Sequence, residues 1–450
     1  MSDILFHYYA VNPTTWFYLS SLLAIALFFK FNRPLSVRNI DLVALVMLAP
    51  GLLAVEYGRL KAQAGVEELG FIWLFATSGL FLLRMLFDST MVRRPLLEAN
   101  LSTGGLVFLG GSLLVFLLAN VVTKPPQRDD LAGAAGADRL QAGAGTVDAD
   151  QLARLGPGYP LLFLLPQVST QRLFTADPEP APAEPGDRGR RLLHETTARI
   201  MAIVSQLAIV TGMVLIGWWH FDNVRLGIAA AVLYLLLPYT ATMTGRVDHA
   251  LPGALVLWAV ACYRSPITAG ILVGLAIGTI YYPVFLLPLW CGFYWERGVR
   301  RFALGVLASL AALVLALWLS SPDATVFLAQ LRQMMGWILP NRVSLEGFWA
   351  LPGYDPVFRL PVLAAFIALM GTLAIWPAPK NLGTLMSCTA AVLLGSQFWK
   401  AHNGGLFMAW YLPVLLLVVF RPNLENRVAL NVLDAEWFPN RRPASGGRAA

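Results

Sequence analysis

Thirteen mostly apolar runs, each about 15–23 residues long, follow one another along the 450 residues of this chain. They lie near 14–31, 40–55, 69–87, 104–122, 198–220, 224–240, 249–263, 266–281, 283–295, 302–319, 357–376, 382–399 and 405–420. A helix of about 20 apolar residues reaches across a bilayer, and inside the hydrocarbon every backbone N–H and C=O must be satisfied within the segment. The repetition of such runs therefore points to an all-α, polytopic membrane helix bundle with about 13 (11–13) transmembrane helices. Charged residues make up only 13% of the chain, against about 25% in soluble proteins. Several runs are short, and the pair around Pro283 is expected to be broken or re-entrant, because proline removes a backbone donor and disfavours helix at the residue before it.

Lys and Arg in the short loops set the expected orientation. Lys30, Arg33, Arg38, Arg84, Arg93, Arg94, Arg225, Arg264, Arg297, Arg300, Arg301, Lys380, Arg421 and Arg427 all fall on one side if the thirteen runs are crossings. The opposite short loops hold only Arg59, Lys61, Arg246 and Lys400. This asymmetry predicts an external N-terminus and a cytoplasmic C-terminus. It also gathers Asp248, the Tyr281-Tyr282-Pro283 turn and His402 on the external side. The net charge of +7 is accounted for by anchoring at the bilayer, the expected partner, and calls for no nucleic acid. The N-terminus has no basic n-region or cleavage site, so the first run is expected to be a retained insertion signal. The preponderance of Arg over Lys fits a GC-rich bacterial genome and hence the bacterial cytoplasmic (inner) membrane.

The expected organisation is 1–122 as N-terminal membrane helices, 123–197 as a low-complexity non-cytoplasmic loop, 198–420 as the main bundle with external loop 320–356, and 421–450 as a cytoplasmic tail. Within 123–197, the Ala-, Gly-, Pro- and Asp-rich parts have too little hydrophobicity to fold alone. Tyr159–Pro166 is apolar but too short to span; it could lie in the interface or tuck into the bundle. The stretch Phe327–Leu339 suits a short helix on the membrane surface.

Residues 245–249, GRVDH, put three ionisable side chains at the head of an apolar run. Such groups are costly beside a bilayer and are functional candidates by default. Asp248 could N-cap the following helix, with Pro252 tolerated in its first turn. Arg246 could pair with Asp248 or contact a lipid phosphate. Alternatively, Asp248 and His249 could bind or deprotonate an acceptor hydroxyl, a task for which an imidazole is suited and capping has no need.

The stretch also carries pieces in a particular order: Gly245-Arg-Val-Asp248, Arg264-Ser-Pro266, Ala269-Gly-Ile-Leu-Val-Gly274-Leu-Ala276 and Tyr281-Tyr-Pro283, then an apolar run and the basic Arg297–Arg301. In this it resembles the GT-C class of integral-membrane glycosyltransferases, especially the mannosyltransferase-like branch that uses polyprenyl-phosphate sugars. The chain end, from His402 through WYLPVLLLVVF, is similar to the closing helices of that class. Thr279 to Tyr282 stand where the class has a basic residue before the proline break. The resemblance implies a sugar transferred from a polyprenyl-phosphate donor to an extracytoplasmic acceptor, with an acidic base in the first external loop. That loop, Ala54–Leu69, offers Glu56, Glu67 and Glu68, and Glu56 is nearest a membrane end.

The candidate catalytic residues are thus Asp248, His249 and Glu56. The candidate substrate-binding residues are Arg246, Tyr281, Tyr282, Arg342, Glu346, Lys400 and His402. Arg246, Lys400 or Arg342 would stabilise the departing phosphate. No metal-ligand spacing exists, and Cys262, Cys291 and Cys388 all lie in apolar segments. No cofactor is marked; a divalent cation stays open. Two other classes remain: a transporter or lipid-handling protein, in which Asp248 and His249 bind an ion or proton, and a non-catalytic membrane scaffold.

Overall fold

The computed structural model describes residues 13–91, 98–124, 126, 128–141, 156, 158–164, 166, 187–335, 345, 347–352, 355–400, 406–424 and 427–428. The structure is about 82% helical, with no strand among the described residues. The helices are α1 (Pro13–Phe28), α2 (Val37–Val46), α3 (Leu48–Lys61), α4 (Ala64–Leu86), α5 (Thr103–Thr123), α6 (Arg128–Gln141), α7 (Asp187–Trp219), α8 (Val224–Leu236) and α9 (Pro238–Met243). They continue with α10 (Val247–Ala261), α11 (Pro266–Thr279), α12 (Leu287–Phe293), α13 (Val299–Ser320), α14 (Ala324–Met335), α15 (Arg359–Ile375), α16 (Leu382–Trp399) and α17 (Leu412–Phe420).

Seven helical stretches are long and apolar enough to cross a membrane: α2 with α3, α4, α5, most of α7, α13, α15 with its preceding turn, and α16. The other apolar runs are carried by shorter helices, among them α8, α10, α11 and the broken Tyr282–Phe293 segment. The break comes where the sequence predicts it: a 3-10 turn over Tyr282–Leu286 leads into α12. These apolar helices mark the chain as a membrane protein. Their outward faces agree, since Phe108 on α5, Leu319 on α13 and Ile375 on α15 are each exposed by about three quarters or more. Continuous apolar surface of this kind is stable against lipid and not against water.

The innermost layer is built from α8, α16 and α17, whose residues are almost all buried. Around it, α11 and α13 approach closely through glycines. A Cβ on Gly270 would meet the Phe302 carbonyl, one on Gly274 the Ser309 hydroxyl, and one on Gly305 the Ile267 carbonyl. Small residues at four-residue spacing let two membrane helices touch backbone to backbone. The Ala269–Ala276 motif thus has a packing role in this fold.

The loops expected to share one side converge at one end. Arg225 donates to the Ala99 and Leu101 carbonyls at 3.1 and 2.9 Å. Arg427 reaches Asp222 at 2.9 Å, and Leu382 N donates to the Arg427 carbonyl at 2.8 Å. Arg84 grips Asp41 through two bonds of 2.8 and 2.9 Å and Asp88 at 2.9 Å. We call this the cationic end.

The Ala/Gly-rich stretch differs from its expectation as a structureless loop. Residues 128–141 form α6, and its small face takes large side chains: Gly133, Ala134 and Ala137 lie under Tyr159 and Phe163 of the short helix 158–164. Of the two placements open for Tyr159–Pro166, tucking into the bundle is the one found for its described residues. Gly156 N donates to the Thr279 carbonyl at 2.7 Å, fastening this insertion beside α11. In the second long loop, α14 covers much of the stretch expected to be helical, and Phe327 packs edge-on against Trp318.

Candidate functional site

Opposite the cationic end, α9 and α10 meet at the GRVDH turn. Helix α10 begins two residues earlier than capping by Asp248 requires. Arg246 stands at the N-cap position without a side-chain cap, and Asp248 lies in the first turn. Pro252 consequently falls in the second turn, where it has no N–H to offer the Asp248 carbonyl. That carbonyl is satisfied instead by the Trp410 indole N–H at 3.1 Å. Gly253 allows this approach, because a Cβ there would strike the Ala409 carbonyl. The proline and glycine of α10 thereby dock the Phe407–Trp410 turn onto the charged cluster.

Arg246 takes both oxygens of Asp248, Nε to Oδ1 at 3.0 Å and Nη2 to Oδ2 at 2.9 Å. It also faces Asp130 of α6 at 3.4 Å. All three side chains are at least mostly buried. Burying such charges is tolerable only when they are paired and hydrogen-bonded, as Arg246 and Asp248 are.

His249 belongs to a second relay. The Ala409 N–H donates to Tyr239 Oη at 3.0 Å, which leaves the Tyr239 proton for His249 Nδ1, 2.7 Å away. On this network the imidazole carries its own proton on Nε2, 3.8 Å from Asp248 Oδ2. Its basic nitrogen is thus occupied by Tyr239.

Lys400, at the end of α16, is buried among aromatic rings. Its ammonium lies 3.2 Å from the ring centre of Phe407, 4.1 Å from that of Trp410 and 4.6 Å from that of Tyr282. Ring quadrupoles attract a cation over their faces, the more so when it is desolvated. The Tyr281 ring lies tilted against that of Tyr282, with ring centres 4.2 Å apart. The fold therefore brings Arg246, Asp248, His249, Tyr281, Tyr282 and Lys400 to one end. Arg342, Glu346 and His402 lie outside the described residues.

Glu56 is found elsewhere at the same end. It lines a narrow cleft of about 70 Å³ between α1, α3, α5, α9 and Leu406. Trp16, Leu52, Phe116 and Pro238 form apolar walls, with Trp16 and Phe116 stacked at 5.3 Å. The polar rim is Glu56, Arg59, Asn120 and Lys124. Arg59 donates to Glu67 at 3.0 Å. The cleft adjoins the relay: Pro238 and Thr242 face it, and Tyr239 between them turns inward to His249.

Sequence reasoning missed Asp130, Tyr239, Arg59 and Lys124. Asp130 carried no signal, being one acid in an Ala/Gly-rich run. Arg59 stands three residues from Glu56, one helical turn away, and Lys124 directly follows α5. Among the described residues no three His, Cys, Asp or Glu side chains converge as a metal-binding group. The chain matches no known protein-family model and no curated protein sequence.

Proposed function

We propose that the protein is a glycosyltransferase-like enzyme of the bacterial cytoplasmic membrane, with about thirteen crossings, an external N-terminus and a cytoplasmic C-terminus. It transfers a sugar from a polyprenyl-phosphate donor to an extracytoplasmic acceptor. The observation that carries this reading is the cleft, in which apolar walls run up to one carboxylate flanked by two cations.

Each part suits one part of the reaction. Trp16, Leu52 and Phe116 suit an isoprenoid chain. Glu56 accepts the proton of the acceptor hydroxyl as its oxygen attacks the anomeric carbon. The bond from that carbon to the phosphate oxygen breaks, and the phosphate leaves with the electron pair, stabilised by Arg59 and Lys124. Asp248 and His249, both engaged by protein partners, act as positioning residues that hold the Tyr239–Met243 wall.

The test is transfer of labelled hexose from a polyprenyl-phosphate mannose by membranes containing the protein. Glu56→Gln should lower the rate by about 100-fold or more, with the amount of folded protein unchanged because Glu56 is only half-buried. Transfer undiminished in Glu56→Gln overturns the assignment of the base. Absence of transfer by the unaltered protein, with lipid binding in the cleft retained, favours a lipid-handling role.

A further inference from the structure

The cationic end contains a second recess of about 510 Å³, lined among others by Arg33, Ser36, Arg38, Asp41 and Arg84. Its lining cations outnumber its carboxylate three to one. Arg84 is already matched, holding both Asp41 oxygens and one oxygen of Asp88. Arg38 is different. It is only 8% exposed, it faces the recess, and its guanidinium has no hydrogen bond or ion pair among the described residues. The charges of Glu98 and Asp41 reach it only through space. The Arg38 guanidinium nitrogens open onto the recess, so its five donors are met there by water or by an anion.

The surrounding backbone is prepared for one. Ser36 caps α2, so the first-turn amides of that helix point toward the same region and add partial positive charge. The turn before it is rigid. The Asn39 side chain accepts from Lys30 N at 2.9 Å and donates to the carbonyls of Lys30, Arg33 and Pro34 at 2.9, 3.0 and 3.2 Å. Arg33 is therefore presented from a fixed loop. Phe31 and Leu35 flank it, 71% and 89% exposed, as suits a loop resting in a bilayer interface.

We propose that this recess binds a phosphate-bearing anion, held by Arg38 and Arg33 at the start of α2. The phosphate belongs to the headgroup of an anionic lipid or to a soluble phosphate ester. Arginine forks match phosphate oxygens in pairs, and the buried member supplies most of the selectivity. The site is separate from the Glu56 cleft and stands or falls independently of glycosyl transfer.

The experiment uses the full-length protein in a non-ionic detergent. It is titrated with short-chain phosphatidic acid, with phosphatidylcholine of the same chains, and with inorganic phosphate as competitor, and bound lipid is counted by native mass spectrometry. Phosphatidic acid should bind about tenfold or more tighter than phosphatidylcholine. Arg38→Gln and Arg33→Gln should each weaken it by roughly tenfold, a loss matching one charged hydrogen-bond pair, with Arg38→Lys intermediate. Displacement by millimolar-range phosphate supports a site for the phosphate group alone, and resistance to it supports a lipid. Arg33 is exposed, so Arg33→Gln leaves the core intact and decides the matter even if Arg38→Gln fails to fold. Parent-like binding in Arg33→Gln, or phosphatidylcholine bound as tightly as phosphatidic acid, overturns the proposal.

Discussion

Asp88 and Arg421 stand 333 positions apart in the chain and 2.7 Å apart in the fold. Asp88 ends the α4 segment, Arg421 follows α17, and Asp88 also accepts from Arg84. The pair ties the N-terminal helices to the last helix at the cationic end. Asp88 is fully buried, so removing its carboxylate takes an ion pair from Arg421 and from Arg84, which keeps Asp41. Asp88→Ala should destabilise the protein by about 3–5 kcal/mol, read as a lowered midpoint of thermal unfolding in detergent. An unchanged midpoint would mean the pair contributes nothing.

The Arg246–Asp248 pair has a different signature. Asp248→Ala removes the two-bond partner of Arg246 and should cost roughly 3 kcal/mol of stability. Adding Arg246→Met to the same chain should recover only part of that loss, since the guanidinium is then gone but the buried Asp130 carboxylate loses its Arg246 contact. A catalytic carboxylate would show the opposite pattern, with stability kept and activity lost in both variants.

The α11–α13 contact can be probed by size. Gly274→Leu pushes a side chain into Ser309 and the Val306 carbonyl and should cost about 1–3 kcal/mol or more. Gly111, on the open face of α5, has nothing near its Cβ direction. Gly111→Ala should therefore be neutral or slightly stabilising. Equal effects from the two substitutions would sink the close-packing account.

His220 gives a pH dependence. It lies in the turn after α7, donates from Nε2 to the Ala261 carbonyl at 2.7 Å, and meets Tyr263 edge-on. Burial pushes its pKa from 6.5 down to about 3. The unfolded chain therefore takes up a proton, as pH falls through 6.5, that the folded chain takes up only near 3. Stability from this residue is complete above about pH 6.5 and declines as pH falls toward 3. His220→Gln keeps a donor for Ala261 and should flatten the fall in unfolding midpoint between about pH 7.5 and about pH 4.5. An unaltered slope would remove His220 from the acid response.

The seven long apolar helices were legible because a bilayer sets the length a crossing needs, and loop cations were legible because charge stays at its surface. That is why Lys380, Arg225, Arg421 and Arg427 could be gathered at one end before any contact was known. The pairing of Asp130 with Arg246 was not legible. The helix that carries Asp130 buries through Gly133, Ala134 and Ala137, and small residues read as low complexity although smallness is what lets Tyr159 and Phe163 seat against them. Glu56 was visible as a carboxylate near a membrane end. Its cleft was not, because the walls come from α1, α5 and α9, far apart in sequence. Arg38 had been counted among the anchoring cations, since nothing in a sequence tells a buried guanidinium from an exposed one.

Helix α16 touches protein on nearly every side. It is the least apolar of the seven long helices and carries Thr384, Ser387, Thr389, Ser396 and Gln397. Its hydroxyls turn back on their own helix or meet Trp290. Lipid is not its natural surrounding, so it has little reason to enter a membrane by itself. Biogenesis must then be ordered: the earlier helices assemble a protein-lined berth, and α16 enters the bilayer as a guest of that assembly.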